Sequence, residues 1–542
     1  MRFRIVLVGL LHLAAALPQT ADVNPQTRRL RADLGFLTSG ALAGRASMAP
    51  GAEIAARYIA ADFARTGLQP VAGGSYLQEF PLIAYSADPN LLAMTLKRTG
   101  VSQSLRPGTD LIGTFSHDVH IEAPVVFVGY GISAPEYGYD DYANVKTAGN
   151  IVLMFDHEPQ EDDPRSVFNG TGQTLHAARL IKVNNARRHG AVAVLIASEP
   201  LRRHPGLLDA TERRVDRGQP LRAAAPPQAL DDIGQIPAFS IADNVLAGLL
   251  SVLNEKPSDV QRGIDAELRP HSAALADTIV ELRSENAEQH RGTSFNVAGL
   301  LEGSDPALKS ETVLITAHYD HLGVQNGYLY PGANDNASGT TAVMELARLF
   351  VSGAERPRRS LLFVVFGSEE QLMLGSFYYM AHPLRPLAGT RAVLNLDMIG
   401  RDEAHIPQSQ GVLQIAADTS NLLNLVGTYY SADLLAAIER QNRTIGLSLD
   451  TKLDRDHILN ALFRCDHLPF LTAGIPAVWL FGGFHPGYHE PSDTVEKLDF
   501  PKMEKVIRLA YRVAAEIANA PQTPRFGAAA PGSPSTASGL SR

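Results

Sequence analysis

The sequence predicts an α/β fold, a mixed, mostly parallel sheet flanked by helices, accompanied by a second, β-rich domain. Three observations predict it. From Phe295 onward, apolar runs of strand length alternate with helical patterns, which requires crossover connections and a largely parallel sheet. Residues 106–276 have a different texture, with apolar runs closed by glycines. Histidine and carboxylate residues follow the ends of four strands of the α/β part, where open α/β sheets place their ligands.

Bulk composition sets the frame. The chain has 542 residues, room for roughly three domains at about 150 residues each. Hydrophobic residues make up 45% and charged residues 19%, enough to bury a sizeable core. The formal net charge of -9 is spread without long runs, so there is no basic patch for a nucleic acid. The single cysteine, Cys465, excludes an intramolecular disulfide and a cysteine-built zinc site.

In chain order, residues 1–21 read as a signal peptide. Met1-Arg2-Phe3-Arg4 is basic, Ile5–Leu17 is nearly all apolar, and Ala14-Ala15-Ala16 offers a cleavage site. That run is shorter than the ~20 residues a transmembrane helix needs, and no second run of spanning length follows. Export to a bacterial periplasm or medium is expected. Within 22–105, Glu53–Thr66 has helix-spaced apolar residues ended by Gly67, and Tyr76–Leu82 reads as a strand. Leu42-Ala43-Gly44-Arg45 is turn-rich, and this segment shows no catalytic cluster.

In 106–276, strands are expected at Pro124–Gly131, Asn150–Phe155 and Gly190–Ile196, with a helix over His176–His189 and a loop over 200–235. His176, His189 and His204 have no ligand spacing and are taken as surface or structural, so this domain carries no chemistry of its own. In the α/β part the strands are Val313–Ala317, Leu361–Phe366, Ala392–Leu396 and Ala477–Phe481. Helices are expected at Thr340–Phe350, Gly375–Ala381 and Asn421–Arg440. Residues 521–542, rich in Pro, Ala, Gly and Ser, read as a disordered tail.

The chemistry lies at the strand ends. His318 and Asp320 follow the first strand, Glu369 and Glu370 the second, Asp397 the third and His489 the fourth. Asp335 sits in the glycine-bounded loop Gly332-Ala333-Asn334-Asp335-Asn336-Ala337-Ser338-Gly339. Two histidines and three carboxylates suit zinc, but exceed the needs of one tetrahedral ion. Shared through Asp335, they fit two ions roughly 3.5–4 Å apart. Two divalent cations also relieve the repulsion between packed carboxylates. Neighbouring residues of an extended segment point opposite ways. One of Glu369 and Glu370 is therefore expected to bind metal and the other to act as general base. Asp320 is expected to accept the second imidazole N–H of His318 and fix its tautomer. His321 is read as structural or surface, and Asp466-His467 as packing or supporting residues rather than ligands.

These residues resemble the di-zinc aminopeptidase family that includes aminopeptidase Y and the secreted bacterial leucyl aminopeptidases. The motifs carrying the resemblance are Ala317-His318-Tyr319-Asp320-His321, the Gly332–Gly339 loop, Ser368-Glu369-Glu370, Asn395-Leu396-Asp397-Met398-Ile399-Gly400 and Tyr488-His489-Glu490-Pro491-Ser492-Asp493-Thr494. The resemblance implies His318 and Asp397 on one zinc, Glu370 and His489 on the other, and Asp335 between two Zn2+ ions. It implies Glu369 as general base and Tyr488 as a stabiliser of the tetrahedral intermediate. It also implies that 106–276 is an inserted protease-associated domain, which divides the catalytic domain into 22–105 and 277–520. Cys465 stands where the family pattern has serine, and is expected to touch no ligand. The expected substrates are peptides with a free N-terminus. The alternatives are a carboxypeptidase or amidase of the same fold, or a single-zinc glutaminyl cyclase.

Overall fold

The computed structural model describes residues 24–113, 118–203, 206, 224–229, 236–407, 409, 410 and 413–527. The predicted signal peptide, His204 and most of the 200–235 loop lie outside the described residues. No helix among the described residues is long and apolar enough to cross a membrane.

Four strands form the parallel centre of the sheet, in the order Ala477–Phe481, Thr390–Leu396, Thr312–His318 and Ser360–Phe366. Antiparallel neighbours flank them. Leu422–Val426 pairs with Ala477–Phe481 on one side, and the end of Ser272–Leu301 pairs with Ser360–Phe366 on the other. The mixed, mostly parallel α/β arrangement is therefore present.

Successive residues of a strand face opposite sides, and the chain uses this to make two cores. Leu361, Phe363 and Val365 pack beneath the helices Thr27–Leu37, Pro50–Thr66, Gly339–Ser352 and Phe500–Asn519. Leu362, Val364 and Phe366 face the other core, with Tyr379, Phe470, Trp479 and Phe481. Because both faces are covered, these strands read as continuous apolar runs rather than alternating ones.

The second domain has its own core and a parallel set of strands, Val119–Val128, Ile151–Phe155, Ala193–Ala197 and Ala238–Ile241. Its predicted limits of 106–276 move outward. Met94, Leu96 and Leu105 on one side and Val280 and Leu282 on the other are buried in its core. The cause is one long antiparallel pair, Leu77–Arg98 with Ser272–Leu301, whose register runs from Leu77↔Val297 to Lys97↔Ile279. The chain changes cores in mid-strand, so neither turn residues nor a change of composition marks the passage.

Two further expectations are corrected. The helix expected over Asn421–Arg440 is the strand Leu422–Val426 followed by the helix Ala432–Asn442. An apolar run of strand length cannot be told from buried helix by periodicity alone. Residues 521–527 of the expected disordered tail are docked. The Phe526 ring stacks on Tyr430 at 5.4 Å, and Gly527 N donates to Tyr430 O at 2.9 Å.

Arg45 ties the first segment to the sheet edge where the motifs gather. It is fully buried and donates to the carbonyls of Leu37 (2.5 Å), Tyr319 (2.7 Å), Pro331 (2.8 Å) and Gly332 (3.0 Å). Burial pulls its pKa down to about 10, against the pull of Asp320, Asp335, Asp493 and Glu370. Truncating Arg45 takes a donor from four buried carbonyls, of which Gly332 O keeps the bond from Ala337 N, and removes a buried charge. Arg45→Ala is expected to cost on the order of 3–5 kcal/mol. That corresponds to a Tm drop of roughly 10 °C by calorimetry. Arg45→Lys should recover only part, since an ammonium cannot reproduce the planar fork.

Candidate metal centre

The motifs of His318, Glu369-Glu370, Asp397 and His489 reach the site from the carboxyl ends of the four central strands, and the Asp335 loop from a short hairpin after the first of them. The Asp335 loop is fixed by its polar neighbours. Asn334 Oδ1 accepts from Gly400 N at 2.7 Å, Asn336 Oδ1 from Met398 N at 3.2 Å, and Ser338 Oγ from Ile399 N at 3.2 Å. Three side chains of one loop thus bond to consecutive backbone groups of the Asp397 loop. Asp493 Oδ2 accepts from the backbone N–H of Asn334 (2.8 Å) and Asp335 (3.1 Å), which joins the His489 loop to both. Gly332 and Gly339 allow the approach. A Cβ on Gly332, at φ 57, would lie 2.5 Å from the His321 ring, and one on Gly339 would lie 2.0 Å from Leu396 O.

Asp335 does not cap the following helix. Its oxygens face in two directions. Oδ1 lies 3.4 Å from His318 Nε2, and Oδ2 lies 3.1 Å from His489 Nε2. Asp397 Oδ2 is 3.5 Å from His318 Nε2, and Glu370 Oε2 is 3.2 Å from His489 Nε2. All five predicted ligands therefore converge, in two groups joined by Asp335. The spacing fits zinc, because ligands at 2.0–2.1 Å around a tetrahedral ion stand about 3.3 Å apart. His318 Nε2 and Asp397 Oδ1 are buried without hydrogen-bond partners among the described residues. A cation between them would satisfy both.

Glu369 and Glu370 lie in a bend rather than an extended segment, yet their carboxylates still diverge. Glu369 Oε2 approaches His318 Nε2 at 3.8 Å, while Glu370 faces His489. Asp320 organises the bend, with Oδ1 accepting from Glu369 N (3.0 Å) and Oδ2 from Glu370 N (3.3 Å). The predicted contact from Asp320 to His318 is made chiefly by its backbone. His318 Nδ1 is 3.2 Å from the Asp320 carbonyl and 3.6 Å from its carboxylate. With Nδ1 facing that carbonyl, Nε2 is left for the cluster.

Charge separates the two glutamates. Burial, reinforced by Asp466, Glu370 and Asp397, outweighs His318 and raises Glu369 well above the usual carboxylate range. Burial and Asp335 also push Glu370 upward, but His489 and His321 prevail and hold it at about 2. Burial lowers His489, and Glu370 and Asp335 more than reverse this, to about 10. Tyr488 stacks on His489 at 3.9 Å, and burial keeps its phenol protonated. Met398, Arg464, Trp479 and Phe484 complete the pocket wall.

Several contacts escaped the sequence. His321 is fully buried, not surface, and its Nδ1 holds Glu370 Oε1 at 2.7 Å, turning Oε2 toward His489. His321, Asp335 and Glu370 could together hold an ion, as could His318, Glu369 and Asp397. Asp466 accepts from Ser376 Oγ at 2.6 Å, and His467 packs beside Trp479. The expectation that Cys465 touches no ligand is overturned, because its thiol donates to Asp397 Oδ2 at 2.9 Å. Motif spacing gave no sign of this, since the thiol meets Asp397 across the fold. Cys465→Ser should keep the donor and leave zinc affinity nearly unchanged. Cys465→Ala should weaken it about 10- to 100-fold, read by competition with a chromophoric chelator.

Residues 296–514 match the profile of peptidase family M28. Among curated relatives, aminopeptidase YwaD of Bacillus subtilis (strain 168) is 28% identical over 221 residues, 39% of this chain and 42% of that protein. A probable zinc metalloprotease of Leptosphaeria maculans is 28% identical over 262 residues, 42% of this chain and 58% of that one. The matches thus span about half of these relatives' own length. The solved aminopeptidase from Aneurinibacillus sp. strain AM-1 aligns at 20% identity and TM-score 0.48, covering 93% of this chain and 95% of that one. The segment that matches the family model is the α/β one that bears the converging histidines and carboxylates.

Proposed function

We propose that the protein is an exported two-zinc exopeptidase that hydrolyses the N-terminal peptide bond of peptides. The observation that carries this reading is Asp335, one carboxylate with Oδ1 toward His318 and Oδ2 toward His489. His318 and Asp397 would hold one ion, Glu370 and His489 the other, with Asp335 between them. Bound zinc supplies the acidity that activates water near neutral pH and polarises the scissile carbonyl.

Glu369 accepts the proton of the attacking water and returns it to the leaving amine. Burial suits it to this role, because its neutral form is the better accommodated one. Glu370, held ionised beside His489, serves as ligand. The Tyr488 phenol, kept protonated, donates a hydrogen bond to the oxygen that gains negative charge. The aminopeptidase name of a relative supports the N-terminal direction of cleavage. The signal-peptide pattern of 1–21 supports export.

A panel of aminoacyl p-nitroanilides and their N-acetylated counterparts tests the reading. Only the free-amine substrates should be cleaved, with activity lost in chelator and restored by zinc. Glu369→Ala should lower kcat by about 10²- to 10⁴-fold with the zinc content unchanged. Folded, zinc-loaded protein that cleaves none of the free-amine substrates would overturn the assignment.

A further inference from the structure

Arg464 lines the same pocket as Asp335, Glu369, Glu370, Asp397 and His489, and nothing in the proposed reaction uses it. Its backbone is held firmly. Arg464 N donates to Ala461 O at 3.1 Å, at the close of the turn Ala461–Phe463. The next residue, Cys465, accepts from Asn395 Nδ2 and donates to Asp397 Oδ2, both at 2.9 Å. From 461 to 471 only Arg464 is exposed. Its guanidinium forms no hydrogen bond or ion pair with any described residue. We propose that Arg464 sets the specificity of this site by pairing with an acidic side chain on one of the two substrate residues that flank the scissile bond. Such pairing rests on the two-zinc exopeptidase reading, because the pocket carboxylates repel an anion until cations neutralise them.

Three features of the pocket favour it. First, the carboxylates already present do not occupy the guanidinium. Asp335, Glu370 and Asp397 face His318 and His489, and Glu369 approaches His318. Asp456, near enough to feel the Arg464 charge, accepts instead from Ile458 N at 3.2 Å and Leu459 N at 2.8 Å. Second, the wall beyond the candidate ligands carries no other cation. Met398, Trp479, Phe484 and Tyr488 are apolar or aromatic, and Trp479 commits its indole N–H to Asp397 O at 3.0 Å. Third, the charge reaches the reacting side of the pocket. Burial, Asp335 and Glu370 raise the Tyr488 phenol, and Arg464 opposes them. Tyr488 in turn stacks on His489 at 3.9 Å.

Arginine suits the task. Its planar fork meets a carboxylate through two parallel N–H···O bonds, a geometry that an ammonium cannot reproduce. A guanidinium in the same pocket as the metal ligands is within reach of the residues on either side of the scissile bond, not of the distant parts of a long peptide. The competing role is a solvated arginine that only tunes the Tyr488 phenol. In that role it would alter turnover of acidic and neutral substrates alike.

Three tripeptide amides separate the two roles: Asn-Asn-Ala amide, Asp-Asn-Ala amide and Asn-Asp-Ala amide. The terminal amide removes the α-carboxylate, and Asp differs from Asn in charge at nearly constant shape. The quantity read is kcat/KM for each acidic peptide relative to the neutral one, in zinc-loaded full-length wild type, Arg464→Ala and Arg464→Glu. A ratio within one enzyme cancels any general loss of activity or of folded protein. Preference for one acidic peptide should fall about 10- to 100-fold in Arg464→Ala and reverse in Arg464→Glu, and the peptide affected identifies the substrate residue. Calorimetric Kd values for the same peptides, on zinc-loaded Glu369→Ala with and without Arg464→Ala, should show the same change. That arm decides the role of Arg464 even if wild type cleaves none of the three, an outcome that would overturn the peptidase reading instead. Ratios left unchanged for both acidic peptides by the Arg464 substitutions would overturn the assignment.

Discussion

The repulsion among four carboxylates in one buried place is the constraint on which the α/β half depends. Asp335, Glu369, Glu370 and Asp397 are all buried or nearly so around His318, His321 and His489. A chain cannot gather such charge unless the backbone that carries it is fixed by something else. Here that support comes from hydrogen bonds to backbone groups. Asn334, Asn336 and Ser338 bond one loop to the next, and Asp320 and Asp493 accept backbone N–H groups. Arg45 is charged but commits its donors to carbonyls. The carboxylates that face the centre are therefore left facing the imidazoles, poised for cations.

Much of this was legible because it is periodic or local. Buried parallel strands announce themselves as unbroken apolar runs, and the ligands follow those strands directly. His318, Asp335, Glu370, Asp397 and His489 could be picked from position and residue type, and the structure brings them together. What escaped is contact between segments distant in sequence. Arg45 sits in a turn that looks ordinary, and its acceptors lie some 275–290 residues away along the chain except for Leu37. Cys465 meets Asp397 through tertiary packing alone. The domain limits escaped for a different reason. A strand that passes between two cores keeps its pattern throughout, so the change of partner leaves no trace in composition.

That same strand pair bears on how the domains act together. Two domains joined by flexible linkers move independently by default. Here Leu77–Arg98 and Ser272–Leu301 stay hydrogen-bonded through most of their paired length, interrupted by irregularities near Ser284–Glu288. A continuous sheet resists hinge motion because bending it must break ladder bonds. The second domain also rests on the α/β domain at a second place. Asn169 Nδ2 donates to Asp454 O at 2.9 Å, and Leu175 N donates to Tyr430 OH at 2.7 Å. Attachment at two separated places fixes orientation as well as distance.

The second attachment falls on a segment with consequences for chemistry. Asp454 is itself buried and accepts from Gly427 N and Thr428 Oγ1, so the backbone that meets Asn169 is anchored from beneath. Ten residues later the chain delivers Arg464 to the pocket wall and Cys465 to Asp397. Leu459, Ala461 and Leu462 between them are buried in a core of the α/β domain, so a displacement at 454–457 cannot be absorbed by a loose loop. Close-packed interiors transmit such displacements rather than dissipate them. The second domain, none of whose described residues lies in the candidate metal centre, is thereby in mechanical contact with Asp397. It reaches that carboxylate through the Cys465 sulfur.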